Sequence, residues 1–574
     1  MSQSLTNFYP PLGLTVAEEV RILERWDDDA VFRRYLQCQP EPTEVMEYGR
    51  IRARVKCVRA RIRDLNILRK QIEPRQSSYI DADLAKVLFR RKVLAWHMFL
   101  INQLPVELLV EIFRYVVLGT HVMRGEDTQK LRLTWVCRHF REVALADGVL
   151  WSRIVFTDPP PWTRSLTFFS RTGEAPIDLC VNDITFPNIP ALDRYQVAAL
   201  VERFLTKARN IRSIVFSLTD WVCPWFVLRF LSEVPMPRLE YFQLDRSWEP
   251  YLWSPAQFRN PVGWESVALC AGAAPNLQKL FLNGISVNWD TVHTAKLRAL
   301  DIRRLAPEAS PTLQQFRALL QAPNLMKIYL HSAVPQFPEG QHLPEPIHMR
   351  NLRELRLGDM NCVSVQNILR SIHAPDIRIL ALYHMLGEDY TPLFELLTGR
   401  FPKVQVLTAS ALQIENNDVA KRHAIRWFDS MPDLRVLKAE SLPNAVLFSC
   451  LLDDPWKHRD RDHPYMRGPP DPSDIDKMNT LLPDLHTLVV DKVTAADLMW
   501  FTKERDMDGH PFSLVTVPEQ IWKQWTPLQQ SALAFLDKRL QLIFNHPHNV
   551  TKEEADIRVE LDEESLSRLR RMAI

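Results

Sequence analysis

The chain has 574 residues, enough for several domains or one long repeat array. Apolar residues make up 46% and charged residues 24%, and the formal net charge of +2 provides no global field for nucleic acid or an anionic membrane. Only 15 glycines occur, and neither GxGxxG nor GxxxxGK[ST] is found, which argues against a glycine-rich phosphate loop.

Residues 1–42 predict one amphipathic helix. Thr15 is a plausible N-cap with Glu18 three residues on, and Val20, Leu23, Val31 and Tyr35 form its apolar side. The start, MSQSLTNFYPPLGL, lacks a basic region followed by an apolar run and so does not read as a secretory signal. The longest apolar stretches, such as Val93 to Ile101, fall short of a membrane span. The eight cysteines, Cys38, Cys57, Cys137, Cys180, Cys223, Cys270, Cys362 and Cys450, are far apart and offer no zinc-type spacing. These features lead us to expect an intracellular protein, cytoplasmic, nuclear or both.

Residues 43–100 form the next segment. Tyr48, Ile51, Val55, Val58, Ile62 and Leu65 recur in steps of three and four, Arg69 breaks the seam, and Ile72 resumes it. Such a helix would be about 40 Å long. Pro74 ends it, and a second helix starts near Asp81. Two readings stand: a coiled-coil-like arm for self-association through residues 48–72, or a helical hairpin in which Leu84, Val87, Leu88 and Leu94 cover the stripe. So few heptads favour the hairpin. The basic face of the first helix, with Arg50, Arg52, Arg54, Lys56, Arg59, Arg61 and Arg63, could meet an acidic partner or simply be solvated.

From Gln103 the chain reads QLPVELLVEIFRYVV, a polar gap, then LRLTWVCRHFREVALADGVLWSRIVF. Proline is tolerated in a first helical turn, so Leu104 and Pro105 open a helix. Leu104, Leu108, Ile112 and Tyr115 lie on one stripe, and Leu109, Phe113 and Val116 on the adjoining one. A second helix carries Leu133, Val136, Phe140, Val143 and Ala144, and Leu150 and Trp151 close the unit. These short helices hold more large apolar side chains than they can bury among themselves, so the surplus needs either the rest of this chain or another protein to cover it.

This segment resembles an F-box. The matching residues are Leu104, Pro105, Glu107, Ile112 and Phe113, then Val136, Cys137, Arg138 and Phe140, then Leu150 and Trp151. Phe140 stands where that family more often has Trp, and the gap from Leu118 to Lys130 is long. Long gaps are familiar in the expanded F-box families of mushroom-type fungi, which the chain resembles throughout. The resemblance implies that residues 101–157 bind the Skp-type adaptor, and through it a cullin scaffold, using Leu104, Pro105, Leu108, Ile112, Phe113, Val136, Cys137, Phe140, Leu150 and Trp151.

Residues 158–548 carry an internal repeat of the form LxxLxL. Examples are Leu239, Phe242, Leu244; Leu277, Leu280, Leu282; Leu352, Leu355, Leu357; Ile377, Leu380, Leu382; and Leu434, Leu437, Ala439. Successive starts lie mostly about 25–30 residues apart, within the leucine-rich range. Pro237, Pro275, Pro323, Pro375, Pro402, Pro432 and Pro483 precede strands and stop the preceding helix. Helical patterns such as Leu313–Phe316–Leu319–Leu320 and Val365–Ile368–Leu369–Ile372 lie between strands. The expected fold is α/β: an N-terminal helical hairpin or arm and a small all-α F-box, followed by a leucine-rich-repeat solenoid with a parallel sheet. Insertions at 248–264 and 455–476 interrupt it, the second reading as an exposed or disordered loop. After Thr494 we expect a helix over 495–503, a strand over 513–517 and capping helices through Phe544. Residues 549–574 form a charged C-terminal tail or terminal helix.

The repeat leucines point inward, so the residue between the last two of each unit faces the concave sheet. That row is Val215, Gln243, Phe281, Asp301, Tyr329, Arg356, Ala381, Thr408, Lys438 and Val489, about 45 Å long at ~4.8 Å per strand. Phe281, Asp301, Tyr329, Arg356, Thr408 and Lys438 are the candidate contacts for a protein target; the competing reading is a solvated face. The row is mixed in charge, which suits a protein or peptide better than a polyanion. His458, Asp460, Asp462 and His463 are the nearest thing to a metal cluster, but they lie in a charged loop without apolar support. Trp221, Trp225, Trp248, Trp253, Trp264 and Trp289 lack the interleaved basic residues of a nucleic-acid stacking platform. No GxSxG, HExxH or Cys–His signature occurs. We expect no metal, cofactor, nucleic acid or membrane partner, and no enzyme. The expected function is a substrate receptor of a cullin–RING ubiquitin ligase of the SCF type. The alternative is a leucine-rich-repeat interaction scaffold not coupled to ubiquitination.

Overall fold

The computed structural model describes residues 45–72, 78–97, 101, 104–118, 126–184, 191–220, 222–246, 267–337, 343–442, 447, 450–451, 481–491, 494–507, 509–529, 541–544, 551 and 553–561. The helix expected in 1–42, the insertions at 248–264 and 455–476 and the cluster at His458–His463 lie outside them. The chain divides into two units, residues 1–155 with 162–177 and residues 156–161 with 178–574.

The first unit is helical. Helix α1 (Val45–Gln71) and helix α2 (Ser78–His97) form the hairpin. Ile51, Val55, Val58, Ile62 and Leu65 pack in one cluster with Leu84 and Leu94, with Ile80 and Val87 against its edge. The heptad stripe is thus covered by the second helix of its own hairpin, a covering that leaves less of it for self-association. Leu88, expected to help cover it, is instead exposed. Arg69, which breaks the stripe, reaches Asp81 of α2 at 2.7 Å.

Helix α3 (Val106–Leu118) follows, then α4 (Glu126–Val136), α5 (Arg138–Ala146) and the single turn α6 (Gly148–Trp151). The one helix expected over 133–144 is two. The break falls at Cys137, which adopts extended geometry and caps α5, its Sγ accepting from the Phe140 N–H at 3.4 Å.

In the second unit the strands of the main sheet lie side by side in chain order, from Ile211–Leu218 to Gln541–Phe544, with each neighbouring pair parallel, while Ile347–His348 and Ile372–His373 pair in a separate two-stranded sheet. Segments between strands return over the leucine side; helices Leu313–Leu320, Cys362–Ser371 and Asp418–Asp429 each begin at a Thr or Asn N-cap. The repeat leucines, among them Leu239, Leu244, Leu280, Leu355, Leu380 and Leu437, are buried.

The seven prolines do more than end helices. Each occupies the second position of a β-turn, where its fixed φ is pre-set. The N–H three residues after the turn's start, at Leu239, Leu277, Leu325, Ile377, Val404, Leu434 and Leu485, returns to the carbonyl just before the proline at 3.1–3.4 Å. Strand exits are equally regular. Arg304, Ser332, Asp359, His384, Ala411 and Ser441 adopt φ between 48° and 52°, a left-handed conformation that is uncommon outside glycine. The first five donate their N–H to the last carbonyl of the following strand at 2.7–2.9 Å, so each strained residue extends the ladder. Of the capping helices expected through Phe544, helix Glu519–Gln524 is present, and strand Gln541–Phe544 follows where helix was expected. Among the described residues no helix is long and apolar enough to cross a membrane.

Candidate docking faces

Helix α3 is apolar on two sides. Leu109, Phe113 and Val117 recur at i, i+4 and i+8 and are buried. Leu108, Ile112, Tyr115 and Val116 form the other stripe, and their exposures are 51%, 38%, 81% and 36%. Val106, Trp135, Val136 and Leu145 are also large, apolar and exposed. Val116, which the sequence grouped with the buried stripe, is exchanged for Val117.

The buried side is built by tilted aromatic packing and fixed polar contacts. The Phe113 and Phe140 rings are 4.9 Å apart. Trp151 is fully buried, its indole N–H donating to the Ala144 carbonyl at 2.8 Å. Its ring packs on Phe168 at 5.1 Å, and the Arg171 guanidinium lies 4.6 Å from its centroid. Arg114 grips Asp147 with two hydrogen bonds of 3.0 Å, and Asp147 caps α6 by accepting from the Val149 N–H. The side-chain hydrogen bond to Asp147 raises the Arg114 pKa, with burial pulling the other way. Gly148 starts α6 where no side chain fits: a Cβ there would lie 2.3 Å from the Thr172 carbonyl oxygen.

The ten expected contacts therefore divide. Leu108, Ile112 and Val136 are exposed, as is Pro105; Leu104 and Cys137 are partly covered. Phe113, Phe140, Leu150 and Trp151 correct the expectation of a contact surface, because they lie inside the domain and support the face rather than form it. Tyr115, Val116, Trp135 and Leu145 were missed as surface candidates. The spacing of Leu108, Ile112, Tyr115 and Val116 was the available signal, since it repeats at four, three and one along a single helix face.

In the second unit the expected row is one line of register partners. Val215 pairs with Gln243, then Phe281, Asp301, Tyr329, Arg356, Ala381, Thr408, Lys438 and Val489 in turn. Its first part is half-buried. Arg303 sits 4.8 Å from the Phe281 ring, and Arg356 sits 4.5 Å from the Tyr329 ring. Asp301, expected open, is 9% exposed and holds Arg303 by two hydrogen bonds of 2.7 Å. The later part is buried: Ala381, Thr408, Lys438 and Val489 are 0%, 6%, 6% and 1% exposed. For Thr408 and Lys438 this corrects the expectation of an open surface.

The physical reason lies in the C-terminal segment. Residues 553–561 form a helix. Its Ile557 and Leu561 cluster with Ile379, Val406 and Val436, the strand-entry residues on the same side as the row. Lys438 Nζ meets Glu554 at 2.5 Å. Arg558 lies 3.3 Å from Glu354 and 2.8 Å from Glu554. Glu553 accepts from Thr487 Oγ1 at 2.8 Å and lies 2.9 Å from His486. Burial opposes ionisation of Glu354 and Glu554, but Arg356 and Arg558 outweigh it at the first, and Lys438 and Arg558 at the second, so both stay below the ordinary carboxylate value. Beside the helix remains a cavity of about 460 Å³, lined by Arg303, Tyr329, His331, Arg356, Tyr383, Lys438 and Glu440 among others.

The small helical domain thus has one sealed side and one bare apolar stripe on α3. Residues 101–157 match the F-box-like family. No curated protein matches the chain.

Proposed function

We propose that the chain is a substrate receptor of a cullin–RING ubiquitin ligase, with the F-box-like domain holding a Skp-type adaptor and the leucine-rich repeats holding a protein target. The observation that carries this reading is the exposed stripe of Leu108, Ile112, Tyr115 and Val116 inside the segment that matches the F-box-like family. A helix face of that kind docks by filling an apolar groove on its partner. Trp135 and Val136, exposed at the end of α4, would extend the same contact.

In this mechanism the chain makes and breaks no bond. It raises the effective concentration of a target lysine near a ubiquitin-loaded enzyme held elsewhere in the assembly. The regular succession of proline turns, strands and left-handed exits supports reading the second unit as a repeat array, and its register row supports reading one sheet face as a recognition surface.

The test is complex formation between the purified full chain and a purified Skp-type adaptor. A complex that is lost on Leu108→Asp with Ile112→Asp, in a protein that still unfolds cooperatively, is the expected result. Absence of any complex with the unmodified chain would favour the scaffold reading instead.

A further inference from the structure

The sheet side of the C-terminal contact carries its own second set of ionic partners. Glu354 meets Arg558 of the helix, yet Arg356 on its own strand comes to 2.5 Å and Lys327 on the neighbouring strand to 4.0 Å. Lys438 meets Glu554, yet its charge also acts on Glu440, two residues along the same strand and face. Withdrawing the helix therefore leaves the buried Glu354 with opposite charges beside it, and the large penalty for an isolated buried ion does not arise there. The nine described residues of this helix are too short a stretch to persist in water without the sheet. Its outward side, Asp556, Val559 and Glu560, is exposed.

The contacts define what the face accepts. Glu554, Ile557, Arg558 and Leu561 lie at i, i+3, i+4 and i+7, one face of a helix. The aliphatic pair meets Ile379, Val406 and Val436; the glutamate meets Lys438; the arginine meets Glu354.

We propose that this face is a receptor groove for an amphipathic helix bearing a glutamate, an aliphatic residue three and seven positions later and an arginine four positions later, that residues 553–561 fill it in cis, and that a protein target of the same pattern binds by displacing them. This rests on the reading of the sheet face as the target surface. The tethered helix competes with any incoming segment, so the apparent affinity of a target falls to its intrinsic value multiplied by the fraction of time the groove is open.

The experiment uses a fluorescent peptide with the sequence of residues 551–561, TKEEADIRVEL, and the full chain. The variant Ile557→Asp with Leu561→Asp releases the helix without altering the sheet. Anisotropy should show the peptide binding this variant at least ~10-fold more tightly than the unmodified chain. Adding Lys438→Glu should remove that binding. Equal affinity for the released and unmodified chains, or binding indifferent to Lys438→Glu, overturns the proposal. Native-state hydrogen exchange on the unmodified chain supplies a measurement free of any folding defect. Amides of residues 553–561 should open at least ~100-fold more often than those of Val406–Ser410 and Val436–Glu440. Opening at the same rate would make the helix a permanent part of the fold and overturn the proposal. Adaptor binding is scored on the same samples. Peptide binding without adaptor binding keeps the groove and rejects the ligase reading; the reverse rejects the groove alone.

Discussion

Truncating the exposed stripe of α3 separates docking from folding. Leu108 is 51% exposed and Ile112 38%, so about half of one side chain and two fifths of another remain for a partner to cover. Full burial of such side chains is worth about 1.5–3 kcal/mol each, which makes the coverable part of the pair worth about 2 kcal/mol, or ~30-fold in Kd. The double substitution Leu108→Ala with Ile112→Ala should weaken adaptor binding by about that factor in titration calorimetry. The part already buried, about half of Leu108 and three fifths of Ile112, is worth about 2–3 kcal/mol on the same scale, so the free protein should lose no more than that. Phe113→Ala is the control one residue away. Phe113 is 1% exposed against Phe140, and its truncation should cost about 3–5 kcal/mol of folding stability. The reasoning fails if the Leu108/Ile112 variant melts as early as the Phe113 variant while adaptor affinity stays unchanged.

Three further outcomes follow from the same geometry. Gly148→Ala puts a Cβ 2.3 Å from the Thr172 carbonyl, so α6 must shift; thermal unfolding should report a loss of about 1–3 kcal/mol in the F-box-like domain. Trp151→Phe removes the 2.8 Å bond to the Ala144 carbonyl and opens space beside Phe168, a loss of about 2–3 kcal/mol in denaturant melts, with adaptor affinity per folded molecule unchanged. At Glu440, burial pushes the carboxyl up to about 7; Lys438 pulls the other way, and Asp491 and Glu554 add to the rise. An acid with a raised folded pKa binds its proton more tightly when folded, so its contribution to stability falls as pH rises from about 4.5 through about 7. Glu440→Gln should therefore stabilise the chain more at pH 8 than at pH 5, and an equal effect at both would remove Glu440 from that account.

Much of the fold was legible because it obeys simple periods. The LxxLxL units, the hairpin stripe from Ile51 to Leu65 and the proline positions all emerge as elements where the sequence places them. Strand Ile177–Asn182 was missed although Ile177, Leu179 and Val181 alternate with polar or smaller residues, because it lacks the long leucine signature. The left-handed strand exits were hidden for a different reason. Glycine marks such a position only at Gly284; at Arg304, Ser332, Asp359 and His384 the ladder hydrogen bond overrides the side chain's preference, and composition carries no trace of it. The break at Cys137 splits one expected helix, and the exchange of Val116 for Val117 is a one-residue error of phase.

The site was legible to a lesser depth, for a reason common to both units. Periodicity says which side chains share a face; it does not say what lies on that face. On α3 two apolar stripes compete for one interior, and the choice is made by Phe140, Leu150 and Trp151, which supply apolar bulk on one side only. In the sheet, Thr408 and Lys438 stand in register with Tyr329 and Arg356, yet the first pair is buried and the second half-buried. The difference comes from residues 553–561, more than a hundred residues away in sequence from either strand. Those residues alternate acid and aliphatic at helical spacing, and the strands they meet alternate aliphatic and ionic at strand spacing. Each pattern alone describes an ordinary amphipathic element. Only the pairing of Glu554 with Lys438, Arg558 with Glu354 and Ile557 with the Ile379–Val406–Val436 line makes one the ligand of the other, and that pairing belongs to the tertiary structure.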